Sequence, residues 1–295
     1  MITRRVFQGA LAGFTAAGAW THVARAEDTA TTAVDAHAHV FRRGLPLAAN
    51  IRYAPDYDAT PEDYLKTLEA NGISNAVLVQ PSFLGTDNSY LLDALKRYPD
   101  RFRGIAVVQP DISPDTLREF ASEGIVGVRL NLIGAQNPQF DTGPWPMFLK
   151  RLSDLGWQVE IQAEARRWPE LLPLLLESGV TIVADHFGKP DPKLDVDDPG
   201  FRELLKAGAS GRVWVKISGS YRNGAGLPEA AMPLLRDSFG LDHLVWGSDW
   251  PHTQFEKATN YTTVRRELDV WLPEASDRKI VLIDAPRKLF WSRGR

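Results

Sequence analysis

The chain has 295 residues, a formal net charge of −3, 44% hydrophobic and 24% charged residues, and no cysteine. That composition is ordinarily globular and excludes a disordered chain, and its weak acidic balance offers no field that draws nucleic acid. Without cysteine there is no disulfide, no thiolate nucleophile and no cysteine-ligated zinc.

In chain order, residues 1–26 come first and have the layout of an export signal. Arg4 and Arg5 precede an apolar stretch from Gly9 to Trp20, Ala24-Arg25-Ala26 forms a small-x-small cleavage site, and no acid occurs before Glu27. The arginine pair resembles a twin-arginine signal, which implies the twin-arginine export machinery as a partner and a periplasmic or secreted location. The apolar run is too short to span a bilayer, so no membrane attachment is expected after cleavage. An amphipathic helix of the fold is the rival reading, and Gly9, Gly13 and Gly18 weaken it by ~1 kcal/mol each.

A polar linker, residues 27–33, leads into alternating segments. Strands are expected at 34–40, 75–80, 104–108, 127–131, 158–162, 180–185, 213–217 and 244–246. They are short, β-branched and apolar on both faces, as buried parallel strands are. Helices are expected between them. Thr60-Pro61-Glu62-Asp63 has the N-cap, the proline and the acids of a helix start, and Asn71-Gly72 ends that helix. Further helices are read at 88–98, from Ser113-Pro114-Asp115, and at 146–155, 168–177, 199–207 and 228–239. Alternation of this kind means a parallel sheet. Eight units predict a single-domain α/β fold, a closed (β/α)8 barrel over 34–295, with closing helices at 261–272 and 277–283. No Gly-x-Gly-x-x-Gly follows the first strand, which argues against a dinucleotide fold.

Chemistry in such a barrel belongs at the C-terminal strand ends. Strand one ends Asp35-Ala36-His37-Ala38-His39, with both histidines on one face. Strand six ends Asp185-His186, and strand eight runs into Ser248-Asp249-Trp250-Pro251-His252. One such histidine is most simply a packed core residue; three with an aspartate at barrel mouths point to a site. His243 precedes strand eight at the opposite end and reads as structural.

Together these segments resemble the amidohydrolase superfamily, and within it the 2-pyrone-4,6-dicarboxylate lactonase-like branch. The resemblance rests on DAHAHVF (35–41), QPSFLGTDNSYL (80–91), GVRLNL (127–132), DHFGKPD (185–191), WVKIS (214–218) and VWGSDWPH (245–252). It implies a lactone hydrolase in which Asp249 takes the proton of the attacking water while His37, His39 and His186 polarise the carbonyl as donors, without metal. An aspartate serves well there if burial lifts its pKa towards neutrality. The resemblance also implies Arg129, Ser82, Arg222 and Tyr53 as binders of substrate carboxylates. Asp35 is the salt-bridge partner expected for Arg129 if that arginine is structural.

The departures from the branch are Ile133-Gly134-Ala135 where an arginine is usual, Lys189 for an arginine, Gln162 for a tyrosine and Gln254 for an asparagine. Lysine keeps the charge but loses the bidentate fork. The expected substrate is therefore a monocarboxylated or sugar-derived lactone and not the pyrone dicarboxylate itself. A zinc-dependent hydrolase or nonoxidative decarboxylase, with zinc at His37, His39, His186 and Asp249, is the first alternative. A lactone isomerase is set against by the acid at Asp249. An exported ligand-binding barrel without catalysis is the non-enzyme alternative.

Overall fold

The structure is a computed structural model that describes residues 33–49 and 51–292. The expected signal, and the linker apart from Ala33, lie outside the described residues.

Eight strands form one parallel sheet in sequence order: β1 (Val34–Ala38), β2 (Asn75–Val79), β3 (Phe102–Ala106), β4 (Ile125–Asn131), β5 (Gln158–Gln162), β6 (Thr181–Ala184), β7 (Val213–Ser218) and β8 (Leu244–Gly247). The sheet closes on itself just past the strand ends. Ala38 bridges Trp250, Asp249 N donates to His37 O at 2.8 Å, and His39 N donates to Trp250 O at 2.8 Å. The (β/α)8 barrel expected from the alternation is therefore present, and its seam runs between the segments that carry His37, His39 and Asp249.

Helices α1 (Pro61–Ala70), α2 (Ser89–Arg97), α3 (Pro114–Ser122), α4 (Trp145–Leu155), α5 (Trp168–Glu177), α6 (Pro199–Ala207), α7 (Leu227–Phe239) and α8 (Tyr261–Trp271) follow their strands. Their starts obey local chemistry. Thr60 accepts from Asp63 N at 3.2 Å ahead of Pro61, and Ser113 accepts from Thr116 N at 3.0 Å ahead of Pro114. Each helix then buries one face, Tyr64 and Leu68 in α1 and Leu91, Ala94 and Leu95 in α2, against the outer side of the barrel.

Several boundaries differ from expectation by one or two residues, and two of them have a visible cause. β3 lies two residues earlier than read, because Val107 leaves the ladder to bond the Asn88 side chain, its N–H donating to Oδ1 at 3.1 Å and its carbonyl accepting from Nδ2 at 2.9 Å. The last expected helix, 277–283, begins earlier as α9 (Ala275–Lys279) and then widens into π-type turns at Ile280–Asp284 and Arg287–Trp291. Pro286 has no N–H to continue a regular ladder there.

Inside the barrel, Val34, Ala36, Val77, Val79, Ile105, Val183, Trp214 and Val245 pack with Ala285 and Phe290 as an apolar cluster of their own. Lys216, the next same-face position after Trp214 on β7, starts a buried layer of charges that leads towards the mouth.

Candidate active site

A cavity of about 190 Å³ opens at the C-terminal mouth of the barrel. His39, His186, Asp249, Arg129, Ser82, Tyr53, Arg222, Lys189, Gln162 and Gln254 all line it, and His37 lies fully buried beside them. The eleven residues singled out in the sequence are thus brought to one place. His186 and Asp249 sit at φ 53° and 60°, in the left-handed region that non-glycine residues seldom adopt, where the chain turns sharply off its strand.

Asp249 is the hub. Its Oδ2 accepts from Tyr221 Oη at 2.7 Å and from Arg222 Nε at 2.6 Å. Its Oδ1 faces His39 Nε2 at 3.5 Å and His37 Nε2 at 3.7 Å. Burial pushes the carboxyl up, but Arg222, His186, a bond from His39 and the nearby His37 outweigh it and hold Asp249 well below the usual carboxylate range. The condition that burial lift this group towards neutrality is therefore not met here.

The histidines differ from one another. His39 Nδ1 lies 2.7 Å from Val79 O, and a carbonyl only accepts, so Nδ1 carries a hydrogen. His186 Nδ1 pairs with Ser218 Oγ at 2.9 Å, and burial brings this imidazole down to about 4 despite Asp249 and Asp185. Burial, then Lys216, pushes His37 well below the ordinary histidine value. His37 and His186 are neutral at physiological pH.

Behind them lies an ionic layer. Arg129 Nε donates to Asp185 Oδ2 at 3.0 Å, and its NH2 group donates to Gln162 Oε1 at 2.7 Å. Its ion-pair partner is thus Asp185. Asp35 is fully buried elsewhere, where it accepts from Ser248 N at 2.9 Å and His37 N at 3.1 Å and ties β1 to the end of β8. Lys216 Nζ and Glu160 Oε1 pair at 2.6 Å, both fully buried. His243 contacts Asp242 and Trp214 away from the mouth, as a structural residue.

Of the arginines and lysines lining the cavity, Arg129 and Arg222 are engaged by Asp185 and Asp249. The side chains of Lys189 and Arg52 make no hydrogen bond or ion pair among the described residues. Tyr53 Oη shares a hydrogen bond with Thr253 Oγ1 at 3.1 Å, while Ser82 and Gln254 stand at the rim. Sequence reasoning missed Arg52, Tyr221, Ser218, Glu160 and Lys216. For the last two a signal existed: a charge in the middle of an apolar strand, as in QVEIQ and VWVKIS, must find a buried partner.

Residues 34–291 match the family described as amidohydrolase. The chain is 31% identical over 279 residues to the 2-pyrone-4,6-dicarboxylate hydrolase of Comamonas testosteroni, covering 88% of this chain and 90% of that protein. It is 30% identical over 270 residues to the 4-sulfomuconolactone hydrolase of Hydrogenophaga intermedia, covering 87% and 88%. A solved structure of a candidate 2-pyrone-4,6-dicarboxylic acid hydrolase from Pseudomonas putida superposes with a TM-score of 0.83 at 44% identity, covering 88% of this chain and 97% of that one. The match spans every strand of the barrel and both sides of its seam, and by it the chain belongs to the amidohydrolase family.

Proposed function

We propose that this protein is a hydrolase that opens a lactone bearing an anionic substituent, by water attack assisted by Asp249 and without a metal. The single observation that carries the reading is the Oδ1 of Asp249, the oxygen that Tyr221 and Arg222 leave clear, held ionised and set within 4 Å of two histidine Nε2 atoms at the floor of a cavity rimmed by cations. The named relatives act on lactones or a pyrone that carry sulfonate or carboxylate groups, and that supports the class of substrate.

In this reading Asp249 Oδ1, with His39 Nε2 beside it at 3.5 Å, orients the attacking water. Asp249 accepts its proton as the oxygen bonds to the carbonyl carbon. Donors beside it, His37 Nε2 foremost, stabilise the oxyanion. When the ring C–O bond breaks, the proton on Asp249 passes to the leaving oxygen and the product is a ring-opened hydroxy acid or its keto form. Lys189 and Arg52, the unengaged cations, hold the substituent charge. That favours a carboxylated lactone over a neutral sugar lactone.

The zinc alternative has one observation in its favour: ligand atoms of His37, His39 and Asp249 lie within 4.8 Å of one another. The set does not fit. Lys216 Nζ takes the Nδ1 side of His37 at 3.1 Å, and Arg222 already neutralises Asp249 at 2.6 Å. A fixed cation in contact with a ligand carboxylate opposes a divalent ion.

The test is a pH-indicator screen of carboxylated and neutral lactones with residues 27–295, with metal content measured alongside. Hydrolysis of a carboxylated lactone that survives chelation is the expected result, and Lys189→Met with Arg52→Met raises KM for it far more than for a neutral one. No turnover of any lactone, with tight binding of one, favours the binding barrel. Stoichiometric zinc whose removal abolishes activity revives the metalloenzyme. The proposed location is periplasmic or secreted through the twin-arginine route; protein from the native periplasm then begins at Glu27, and a cytoplasmic protein retaining Met1 refutes it.

A further inference from the structure

Among the buried groups that the water-attack scheme leaves without a task is Lys216. Lys216 is fully buried on β7, and its Nζ stands 2.6 Å from Glu160 Oε1, 3.1 Å from His37 Nδ1 and 3.7 Å from Asp185 Oδ1. An ammonium has three hydrogens to donate and no lone pair. Its short contact with His37 is therefore a bond from Nζ to a lone pair on Nδ1. A neutral imidazole has one donor and one acceptor nitrogen, so its hydrogen lies on Nε2.

Asp185 is the rival for Nδ1, and it would demand the opposite tautomer. Its Oδ1 is 3.5 Å away and makes no hydrogen bond among the described residues, while its Oδ2 is held by Arg129. A hydrogen on Nδ1 would meet an ammonium hydrogen at 3.1 Å, so Lys216 decides the contest. On the other side of the ring, Nε2 has no hydrogen-bond partner among the described residues and lies on the Asp249 side, 3.7 Å from Asp249 Oδ1. Glu160 makes the arrangement tenable, because a fully buried lysine without a counter-charge is costly.

We infer that Lys216, anchored by Glu160, is a positioning residue that fixes His37 in its Nε2–H tautomer and so presents a hydrogen-bond donor to the lactone carbonyl oxygen. The purpose of that donor rests on the lactone-opening reading; the tautomer does not. The same tautomer removes the His37 lone pair from the mouth, where a metal would need it.

The test is long-range 1H–15N NMR of the full chain labelled in histidine, without substrate, with His37 assigned by its loss in His37→Asn. The expected pattern across neutral pH is a lone pair on Nδ1 and a hydrogen on Nε2. In Lys216→Met the pattern inverts, as Nδ1–H turns to Asp185, and kcat falls by ~10²-fold while KM moves less than about threefold, the signature of a donor felt mainly in the transition state. Because Lys216→Met strands Glu160, the pair variant Glu160→Gln with Lys216→Met removes both charges and is expected to show the same inversion. A wild-type His37 that carries its hydrogen on Nδ1, or on both nitrogens, overturns the inference even if every variant misfolds. So does a folded Lys216→Met with the wild-type pattern. Absence of lactone turnover alongside the expected wild-type spectrum defeats the proposed function and leaves the tautomer standing.

Discussion

Asp249 shows how one residue trades basicity for availability. The bonds from Tyr221 and Arg222 on Oδ2 keep it ionised, and only Oδ1 is left for a proton. A carboxylate held this low is a weak base that is always ready. Asp249→Asn is expected to keep the fold and cut turnover by ~10²–10⁴-fold; hydrolysis at the wild-type rate would remove Asp249 from the chemistry. The pH profile follows from the same shifts. A depressed aspartate keeps its base form at every pH above its lowered value, His186, at about 4, stays neutral above that point, and burial and Lys216 hold His37 well below 6.5. kcat/KM is therefore expected to stay level as pH falls through 6.5. An acid limb centred between 6 and 7 would show that a histidine of ordinary pKa must be neutral for turnover. On the alkaline side, burial, then Arg222, pushes Lys189 below 10.5. Its charge is lost as pH rises through that lowered value, and KM for an anionic lactone rises with the loss.

At the scale of elements the seam between β1 and β8 matters most, because the base stands on one side of it and two histidines on the other. Gly247 makes the close approach possible: a Cβ there would lie 2.6 Å from His37 Cβ and 2.8 Å from His37 N. Neither backbone can yield locally, so Gly247→Ala must part the strands. It is expected to cost ~1–3 kcal/mol of stability and, by shifting His37 against Asp249, ~10²-fold in kcat. Thermal melts and kinetics on the one variant check both, and an unaltered kcat would mean that the spacing across the seam is not critical. The seam residues were legible in the sequence because polar groups cluster where apolar strand runs stop, and barrel strand ends converge. The ionic layer was less so. Glu160 and Lys216 announce themselves as charges within apolar strands, but their pairing depends on the registers that carry β5 to β7 through β6, which no single strand encodes. Arg129 was assigned Asp35 for the same reason; with that register known, Asp185 is the carboxylate within reach. Arg52 and Tyr221 lie off the strands, where the period-2 pattern says nothing.

The whole molecule is defined by how many titratable groups the barrel mouth buries, and this sets its response to acid. His37, His186 and His252 all have folded pKa values below 6.5, with burial the largest cause in each. Below pH 6.5 the unfolded chain takes up protons that the folded chain refuses, so each of the three removes stability as pH falls. Raised acids, Glu160 and Asp35 among them, act in the opposite direction. Burial raises Glu160 to about 7 against the pull of Lys216, and raises Asp35 above 3.8. A raised acid holds its proton in the fold, so its contribution is present at low pH and is lost as pH rises through the folded value. Asp185 and Asp249, held low, contribute stability that is present above 3.8 and lost only as pH falls through their depressed values. Between pH 6.5 and 4.5 the three histidines thus oppose the raised acids. Stability is expected to fall as pH drops below 6.5, with the histidines the larger buried set, before the low aspartates begin to titrate. Melts at pH 6.5, 5.5 and 4.5 measure it, and His252→Asn, which removes one of the three, should make the slope shallower. A Tm that stays constant from 6.5 to 4.5 in the wild-type chain would mean that the buried acids cancel the histidines in full.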